Sequence, residues 1–382
     1  MTHLPPGTTV LQVLPKLDTG GVERGTVEVA QAIRDAGARA LVASAGGRLV
    51  PLVQRTRGRH AILPLDTKTP WGIWRNARRL EALVRADQVS VVHARSRAPA
   101  WSAMLAARRA GVPFVTTYHG VYTESWPGKW RYNAVMAAGD RVIAISHHVA
   151  DVLTQRHGVG PDRLRIIPRG VDPAVFDPDA VAAPRIARLA ATWRVPDGAP
   201  TVVLPARLTR WKGASVLLRA MALLDRLDAC CVLVGAMDGR ERFAAELAAE
   251  AEALGIAGRL RMVGHCDDMP AALMLADVVV SASVEPEGFG RAVIEAQAMG
   301  RMVVATDHGG AAETVRHGDT GWRVPPNDPV ALAAAIGHAL QLTVEERAAM
   351  GARSRASVLS DYTVSAMQAA TLAVYREVLT SR

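Results

Sequence analysis

Residues 283–295, which read SVEPEGFGRAVIE, decide the fold of the second half of this chain. They follow an apolar run at 278–281 that predicts a strand, pass through Gly288 and Gly290, and enter a segment with helical periodicity. A strand, a glycine turn and a helix N-terminus form an anion site, because free backbone amides and the helix dipole face the ligand. The stretch therefore predicts an α/β domain that binds a negatively charged ligand at the carboxyl end of its sheet.

Two carboxylates flank this predicted anion site. Glu287 lies in the turn and Glu295 lies two helical turns further on, so both can face the same edge of the sheet. Carboxylates beside a phosphate site are useful where they accept hydrogen bonds from hydroxyl groups. A nucleotide sugar carries two phosphates, ribose hydroxyls and sugar hydroxyls, and it is the ligand that this combination predicts.

A second basic segment, ARLTRWKG at 206–213, follows the first predicted strand of the same half. Arg207 and Lys212 stand five residues apart at the carboxyl end of that strand. Two cations so placed can clamp a diphosphate and neutralise the charge of a departing nucleoside diphosphate. The alternative is a solvated basic turn.

The first half contributes two further candidate sites. Gly20 and Gly21 follow the first predicted strand within LDTGGVER at 17–24, and they suit a tight turn close to a ligand, although an ordinary βα turn is the alternative. His119, in TYHG at 117–120, ends another strand and would either face the ligand or serve as a packed or capping histidine. Neither G-x-G-x-x-G after the first strand nor a Walker A lysine motif is present, which disfavours dinucleotide redox chemistry and P-loop hydrolysis.

Both halves alternate apolar strands with helical segments, which predicts two parallel sheets covered by helices. Predicted strands lie at 10–14, 40–43, 62–65, 89–93, 114–117 and 141–145, then at 201–204, 231–235, 260–263, 278–281 and 302–305. A Pro- and Asp-rich stretch at 166–184 predicts a linker. The predicted domains are 1–175 and 176–362, with a final helix at 363–382 that could cross back onto the first domain.

Composition limits the class of protein. The 382 residues are 49% hydrophobic, which is enough for two cores, and the longest apolar runs are far below the roughly 20 residues that span a bilayer. With no signal-peptide pattern, the expected location is cytoplasmic. Three cysteines without a CxxC pair predict neither a disulfide framework nor a zinc site, and no metal or cofactor is expected.

The charge is unevenly distributed. The formal net charge is +9, but residues 1–172 carry +12 and the remainder carries −3. A basic first half predicts an anionic partner such as a lipid surface or a phosphorylated acceptor, while no nucleic-acid-binding motif accompanies it. Aromatic and basic residues cluster in this half: Trp71, Trp74, Arg75, Arg78, Arg79, Tyr122, Trp126, Lys129, Trp130 and Arg131. Such clusters suit contact with a membrane interface, and core packing of some of the tryptophans is the alternative.

In order and spacing, these pieces resemble the retaining GT-B-fold glycosyltransferases grouped as family 4. The matching segments are the early GG loop, the PRGVD turn at 168–172, the R-x4-K pair, the E-x7-E segment and TDHGGAAE at 306–313. The resemblance implies two Rossmann-like, doubly wound domains that face a central cleft, the first binding the acceptor and the second binding the donor. Arg169 departs from the family pattern, in which asparagine usually occupies that position.

The resemblance also implies roles for individual residues. Arg207 and Lys212 would hold the donor diphosphate, and Glu287 would hydrogen-bond the transferred sugar. Glu295 would bind the ribose, and His119 would contact the sugar or the reaction centre. The remaining implied donor-binding residues are Gly20, Gly21, Gly288, Phe289, Gly290 and Arg291.

The expected activity is transfer of a sugar from a nucleoside diphosphate sugar to a hydroxyl, with retention of anomeric configuration. By analogy with lipopolysaccharide-core sugar transferases, the expected acceptor is an anionic envelope glycan or glycolipid at the cytosolic face of the inner membrane. The alternatives are a non-catalytic binding protein with the same fold and a sugar-nucleotide epimerase. A phosphorylase is disfavoured, because nothing marks a lysine that would carry pyridoxal phosphate.

Overall fold

The computed structural model describes residues 3–18, 20–122, 128–225, 228–237 and 239–381. Its contacts divide the chain into two compact units. The first unit comprises Met1–Arg169 and Val364–Arg382, and the second comprises Gly170–Thr363. The boundaries predicted from sequence lie after residues 175 and 362.

The first unit is built on a seven-stranded parallel sheet with the strand order β3-β2-β1-β4-β5-β6-β7. Its strands are β1 (Thr9–Val13), β2 (Arg39–Ser44), β3 (Arg59–Ile62), β4 (Val91–Ala94), β5 (Phe114–Tyr118), β6 (Arg141–Ala144) and β7 (Leu164–Ile166). Its helices up to β7 are α1 (Gly21–Asp35), α2 (Val50–Arg55), α3 (Pro70–Ala86), α4 (Arg97–Ala110), α5 (Lys129–Asn133) and α6 (His147–His157). Apolar residues fill the central strands, because helices cover both faces of such a sheet.

The second unit repeats this architecture with six parallel strands in the order β10-β9-β8-β11-β12-β13. Its strands are β8 (Thr201–Pro205), β9 (Cys230–Val234), β10 (Leu260–Gly264), β11 (Val278–Ser281), β12 (Met302–Thr306) and β13 (Trp322–Val324). Its helices are α7 (Ala183–Trp193), α8 (Ala214–Ala222), α9 (Glu241–Ala253), α10 (Met269–Leu275), α11 (Arg291–Ala298), α12 (Gly309–Thr314), α13 (Pro329–Gln341) and α14 (Val344–Asp361).

The final helix, α15 (Val364–Thr380), packs on the first unit. Its Tyr375 hydroxyl lies 2.7 Å from Nδ1 of His93 in β4, and both side chains are fully buried. Its Glu377 accepts a 2.8 Å hydrogen bond from Arg141 of β6. A buried aromatic and an ion pair thus hold the C-terminus of the chain to the first sheet.

Two local predictions differ from the structure. The strand predicted at 62–65 lies at Arg59–Ile62 instead, because Pro64 has no N–H to donate to a neighbouring strand. The predicted linker at 166–184 contains the end of β7 and the start of α7, and Phe176 within it is buried. This segment therefore packs on the protein. The sequence did not predict this, because its few apolar residues are spaced too irregularly to indicate which of them are buried.

Candidate active site

Three loops of the second unit meet at the carboxyl edge of its sheet. They follow β8, β11 and β12, which are neighbours in the strand order. The amide of Val284 donates to the carbonyl of Trp211 at 2.7 Å, and the amide of Gly310 donates to the carbonyl of Glu287 at 2.8 Å. Between β8 and β11 the strand order reverses, and doubly wound sheets bind ligands at such a point.

Lys212 and Glu287 form an ion pair at the centre of these loops. Lys212 Nζ lies 2.7 Å from Glu287 Oε1, and the two side chains are only 17% and 12% exposed. Ser283 and, at 3.4 Å, Ser281 donate hydrogen bonds to the same carboxylate oxygen. Burial alone would raise the pKa of the Glu287 carboxyl, but Lys212 and the two serine hydroxyls outweigh burial and hold this pKa below its usual value. Glu287 is therefore an ionised hydrogen-bond acceptor at neutral pH.

Arg207 differs from Lys212 in its surroundings. Its side chain is exposed, and it forms neither an ion pair nor a hydrogen bond with the rest of the described chain. An exposed guanidinium at the carboxyl end of β8 keeps its donors available for a phosphate. The structure thus offers one cation already engaged with a carboxylate and a second one that a ligand can engage.

The predicted glycine turn leads into α11. Gly290 precedes the helix with a φ of 82°, which favours glycine, and the buried Phe289 ring packs against Tyr362 at 5.6 Å. Gly288 lies against Gly310, and a Cβ on Gly310 would overlap the carbonyl oxygen of Gly288. These close contacts fix the backbone of the turn.

Within α11, Arg291 and Glu295 form an i,i+4 ion pair, with Nε of Arg291 3.0 Å from Oε1 of Glu295. Glu295 is thus tied to its own helix, whereas Glu287 is held by the loop that follows β8. The structure brings Glu287, Lys212 and the glycine turn together and gives Glu295 a different immediate partner.

The remaining predicted residues belong to the first unit. Gly20 and Gly21 follow β1, and Gly21 begins α1, whose N-terminus has no side-chain cap. Gly20 has an extended backbone that any residue adopts, and a Cβ on Gly21 would meet no described atom within 4 Å. A Cβ on Gly20 would overlap the carboxylate of Glu23, so the open space beside the helix N-terminus lies at Gly21. Thr19 lies outside the described residues.

His119 follows β5 in the first unit. Both of its ring nitrogens are buried, and within the described ranges neither has a hydrogen-bond partner. Burial lowers the pKa of His119 well below its usual value, and the positive charges of Arg169 and Arg95 lower it further. A neutral imidazole with two unpaired nitrogens suits hydrogen bonding to a hydroxyl better than transfer of a proton at neutral pH.

The basic and aromatic residues of the first unit separate into exposed and buried sets. Trp71 is 65% exposed and stacks on Trp74 at 4.9 Å, and the Arg78 guanidinium lies 4.0 Å from the centre of the Trp74 ring. Trp130, in α5, is 50% exposed. By contrast, burial raises the pKa of Tyr122 to about 12, beneath the guanidinium of Arg97. Trp126 lies outside the described residues.

Sequence reasoning assigned no role to three side chains that support the site. Ser281 and Ser283 hold the carboxylate of Glu287, and Nε2 of His308 lies 2.7 Å from the carbonyl oxygen of Ser283. Ser283 and His308 stood inside the quoted motifs, but their contacts depend on how neighbouring strands pair. The available sequence signal was their position, since each is a polar residue in the loop just after a buried strand, where functional residues are common.

Neither a membrane span nor a metal cluster is found in the described ranges. No helix in them is long and apolar enough to cross a bilayer. No group of three or more His, Cys, Asp or Glu side chains in the same ranges could hold a metal ion.

Comparison with known proteins gives matches over both units. Residues 19–175 match the family described as Glycosyltransferase Family 4, and residues 187–357 match the family described as Glycosyl transferases group 1. Over 325 residues, the chain is 30% identical to the D-inositol 3-phosphate glycosyltransferase of Jonesia denitrificans, which covers 78% of this chain and 74% of that relative.

Solved structures agree with these matches. A glycosyltransferase from Rickettsia africae is 34% identical with a TM-score of 0.90, covering 98% of this chain and 99% of its own. Anabaena HepE, in complex with UDP and glucose, is 23% identical with a TM-score of 0.85, and the match covers 98% of this chain and 100% of HepE. At this identity the likeness is evidence for the fold alone. Together with the two doubly wound parallel sheets, these structures confirm the predicted GT-B fold class.

Proposed function

The chain belongs to the glycosyltransferases of family 4 and group 1, which use nucleoside diphosphate sugars, and we propose that it transfers a sugar from a uridine diphosphate sugar to a hydroxyl with retention of configuration. The proposal of uridine rests on the UDP in the Anabaena complex. The finding that the chain is a glycosyltransferase leaves no support for the alternatives of a non-catalytic binding protein or an epimerase.

One observation carries the donor assignment: the buried ion pair of Lys212 and Glu287 at the point where the strand order reverses. In the proposed complex the diphosphate lies between Lys212 and Arg207, beside the backbone amides that begin α11. The ionised Glu287 accepts hydrogen bonds from hydroxyls of the transferred sugar. Phosphates and hydroxyls thus meet groups of matching chemistry within one set of loops.

In the proposed reaction, the bond between the anomeric carbon and the diphosphate oxygen breaks, and the acceptor oxygen bonds to that carbon from the same face. The proton of the acceptor hydroxyl passes to an oxygen of the departing diphosphate. Lys212 and Arg207 stabilise the negative charge that develops on this leaving group. His119, neutral at physiological pH, positions the acceptor, and no enzyme nucleophile takes part.

The same two cations supply the charge compensation that a divalent metal provides in other transferases. We therefore propose that the reaction proceeds without a metal or an organic cofactor. Asp177 and Asp179 form a DxD pair that resembles a metal-diphosphate motif. The carboxylate of Asp177 instead accepts hydrogen bonds from Arg355 at 3.1 Å and from the amide of Asp179 at 3.4 Å.

The proposed acceptor is a hydroxyl of a molecule that carries an anionic group. The specific resemblance to lipopolysaccharide-core transferases is not confirmed, since the named relatives are D-inositol 3-phosphate glycosyltransferases. An envelope glycan or glycolipid and a small phosphorylated polyol share the anionic character that the +12 charge of residues 1–172 favours. No nucleic acid is proposed as a partner.

Contact with the cytosolic face of a membrane is part of this proposal. Trp71 and Trp130 are exposed beside arginines, and α4 connects the two helices that carry them, since Ser102 donates to the carbonyl of Ile73 and Trp101 donates to the carbonyl of Tyr132. Exposed indoles beside guanidinium groups suit an anionic lipid surface. Cosedimentation with phosphatidylglycerol vesicles should weaken in a Trp71→Ala/Trp130→Ala variant, and equal binding of parent and variant would exclude this surface.

The donor assignment is tested by thermal denaturation with UDP-, GDP- and ADP-sugars. We expect UDP-sugars alone to raise the melting temperature, and an Arg207→Ala/Lys212→Ala variant to lose that rise. Arg242→Ala is the matched control, because Arg242 lies in the same unit with a side chain that is 95% exposed. The absence of any shift in the parent protein would contradict the proposed donor site, and a shift with GDP- or ADP-sugars alone would contradict uridine.

A further inference from the structure

Arg95 is a buried arginine that has no carboxylate partner among the described residues. It directly follows β4, its exposure is 2%, and it is among the largest fully buried side chains of the described residues. Among the described residues, the one hydrogen bond of its side chain joins Nη1 to the neutral Oε1 of Gln12 at 3.1 Å, and Nε has no partner there. A buried cation without a paired carboxylate costs free energy that a folded protein normally avoids.

Two other arginines of low exposure have carboxylate partners. Arg141 in the first unit pairs with Glu377 at 2.8 Å, and Arg355 in the second unit pairs with Asp177 at 3.1 Å. Arg95 is more deeply buried than either and has no carboxylate oxygen within 4.0 Å among the described residues. Burial lowers the pKa of Arg95, and electrostatic interactions with Tyr375, Glu28 and Glu23 oppose that effect.

The place of Arg95 in the fold is one where ligands bind. Strands β1, β4 and β5 are neighbours, and the strand order reverses between β1 and β4. The open space beside Gly21 follows β1, Arg95 follows β4, and His119 follows β5. Three consecutive carboxyl ends therefore converge on the crevice in which doubly wound sheets hold ligands.

Arg95 and His119 lie on one face of this sheet. Nε2 of His93 lies 2.7 Å from Oγ1 of Thr117, so these two side chains share a face. Arg95 stands two residues after His93, and His119 stands two residues after Thr117. Side chains two residues apart along a strand lie on the same face. Both ring nitrogens of His119 are buried without partners in the described ranges. An unpartnered imidazole, with one donor and one acceptor nitrogen, and an unneutralised cation thus occur together.

A second guanidinium, that of Arg169, borders the same region. Nη2 of Arg169 donates to the carbonyl of Gly21 at 2.7 Å, and the group lies so close to α1 that a Cβ on Gly25 would overlap it. Arg169 thereby links the start of α1 to the end of the first unit. The charges of Arg169 and Arg95 both lower the pKa of His119, so the three side chains share one region.

We propose that Arg95, with His119 and Arg169, forms a subsite of the first unit that binds a phosphate monoester of the acceptor. This inference rests on the proposed function and deepens it by giving the acceptor an anionic group and a place. A phosphate supplies the negative partner that Arg95 lacks, and it accepts hydrogen bonds from Nε of Arg95 and from the one N–H of the neutral His119. Its residues belong to the first unit, whereas Arg207 and Lys212 belong to the second unit.

The test is calorimetric titration with glycerol 3-phosphate, with glycerol as the uncharged comparison. Saturating UDP is present throughout, so that the proposed diphosphate site is occupied. We expect the phosphate ester to bind and glycerol not to bind, and Arg95→Met to raise the dissociation constant at least tenfold, since charged hydrogen bonds contribute about 1.5–3 kcal/mol. Arg141→Met, which removes an arginine with a carboxylate partner, should leave the constant within about twofold of the parent value.

Two further variants keep the test decisive if Arg95→Met does not fold. Arg95→Lys retains the charge and should bind the ester more tightly than His119→Gln combined with Arg169→Asn. Unchanged affinity in all Arg95 variants, or no binding by the parent, would overturn the subsite. Binding of UDP measured on the same samples separates this failure from failure of the donor assignment. Vesicles of phosphatidylglycerol, titrated in place of the soluble ester, test whether a lipid phosphodiester binds at Arg95. Binding that is tighter than that of the ester and is lost in Arg95→Met would contradict a monoester site.

Discussion

Replacement of Lys212 by alanine removes the one cation that is paired with Glu287 in the described structure. The carboxylate stays 12% exposed between the loops that follow β8 and β11, and it keeps the hydrogen bonds of Ser283 and Ser281. The variant therefore contains a largely buried charge with two neutral donors in place of a salt bridge. We expect this single change to destabilise the second unit measurably.

The expected size follows from the burial of the pair. Removing one partner of a buried ion pair costs about 3–5 kcal/mol, whereas an exposed pair contributes about 0–1 kcal/mol. Because the Lys212 side chain is 17% exposed and two hydroxyls remain on Glu287, a loss of about 2–3 kcal/mol is expected. For a unit of this size, each kcal/mol lowers the melting temperature by about 2–4 °C, so a decrease of about 4–12 °C follows.

The pH dependence gives the prediction a sign. In the parent protein the folded pKa of Glu287 lies below its unfolded value, so the pair stabilises the fold above the unfolded pKa of about 4.3 and loses that contribution as pH falls through the folded pKa. In Lys212→Ala, burial dominates and raises the folded pKa. As pH falls, protonation of Glu287 removes the unpaired buried charge from the variant. The difference in melting temperature between the parent and Lys212→Ala should therefore narrow between pH 7 and pH 4.

Differential scanning calorimetry of a double-mutant cycle with Glu287→Gln provides the measurement. Glu287→Gln removes the charge with little change in shape, so Lys212→Ala should cost much less in that background. A coupling free energy below about 0.5 kcal/mol at pH 7 would refute the assignment, because contacting residues in one buried network couple more strongly. A gap in melting temperature that stayed constant from pH 7 to pH 4 would refute the role assigned to the Glu287 charge.

Three further predictions concern the same unit. Gly213→Ala should lower the free energy of unfolding by at least about 1–2 kcal/mol in urea titrations, since its φ is 74° and a Cβ would overlap the carbonyl of Ala282, whereas Gly258→Ala, with nothing within 4 Å, should cost less than half as much. Arg207→Ala should leave the melting temperature within about 2 °C of the parent and weaken UDP binding about tenfold or more by calorimetry, because its exposed side chain has donors for a phosphate and no described partner; equal UDP affinity would exclude it from the diphosphate site. Transferase activity should survive excess EDTA, and loss of activity that added Mg²⁺ restores would contradict the metal-free proposal.

Much of the second unit could be predicted from local patterns. The segment at 283–295 contains an apolar strand, a glycine turn and a helix in sequence, so its backbone course follows from neighbouring residues alone. The pairing of Lys212 with Glu287 could not be read in this way, because 75 residues separate them and the pairing of β8 with β11 brings them together. Ser283 and His308 were inside recognised motifs, but their contacts follow from the same strand pairing.

The sequence by itself determined the alternation of strands and helices, the glycine turns at the strand ends and the family resemblance, because each depends on residues close together in the chain. Only the tertiary structure decided the state of charge at both sites. It placed Lys212 against Glu287 and buried Arg95 with no carboxylate partner among the described residues. The type of a residue does not show whether its charge is buried or paired. Burial and pairing arise from elements far apart in the chain, and they determine whether a charge is neutralised, solvated or left for a ligand.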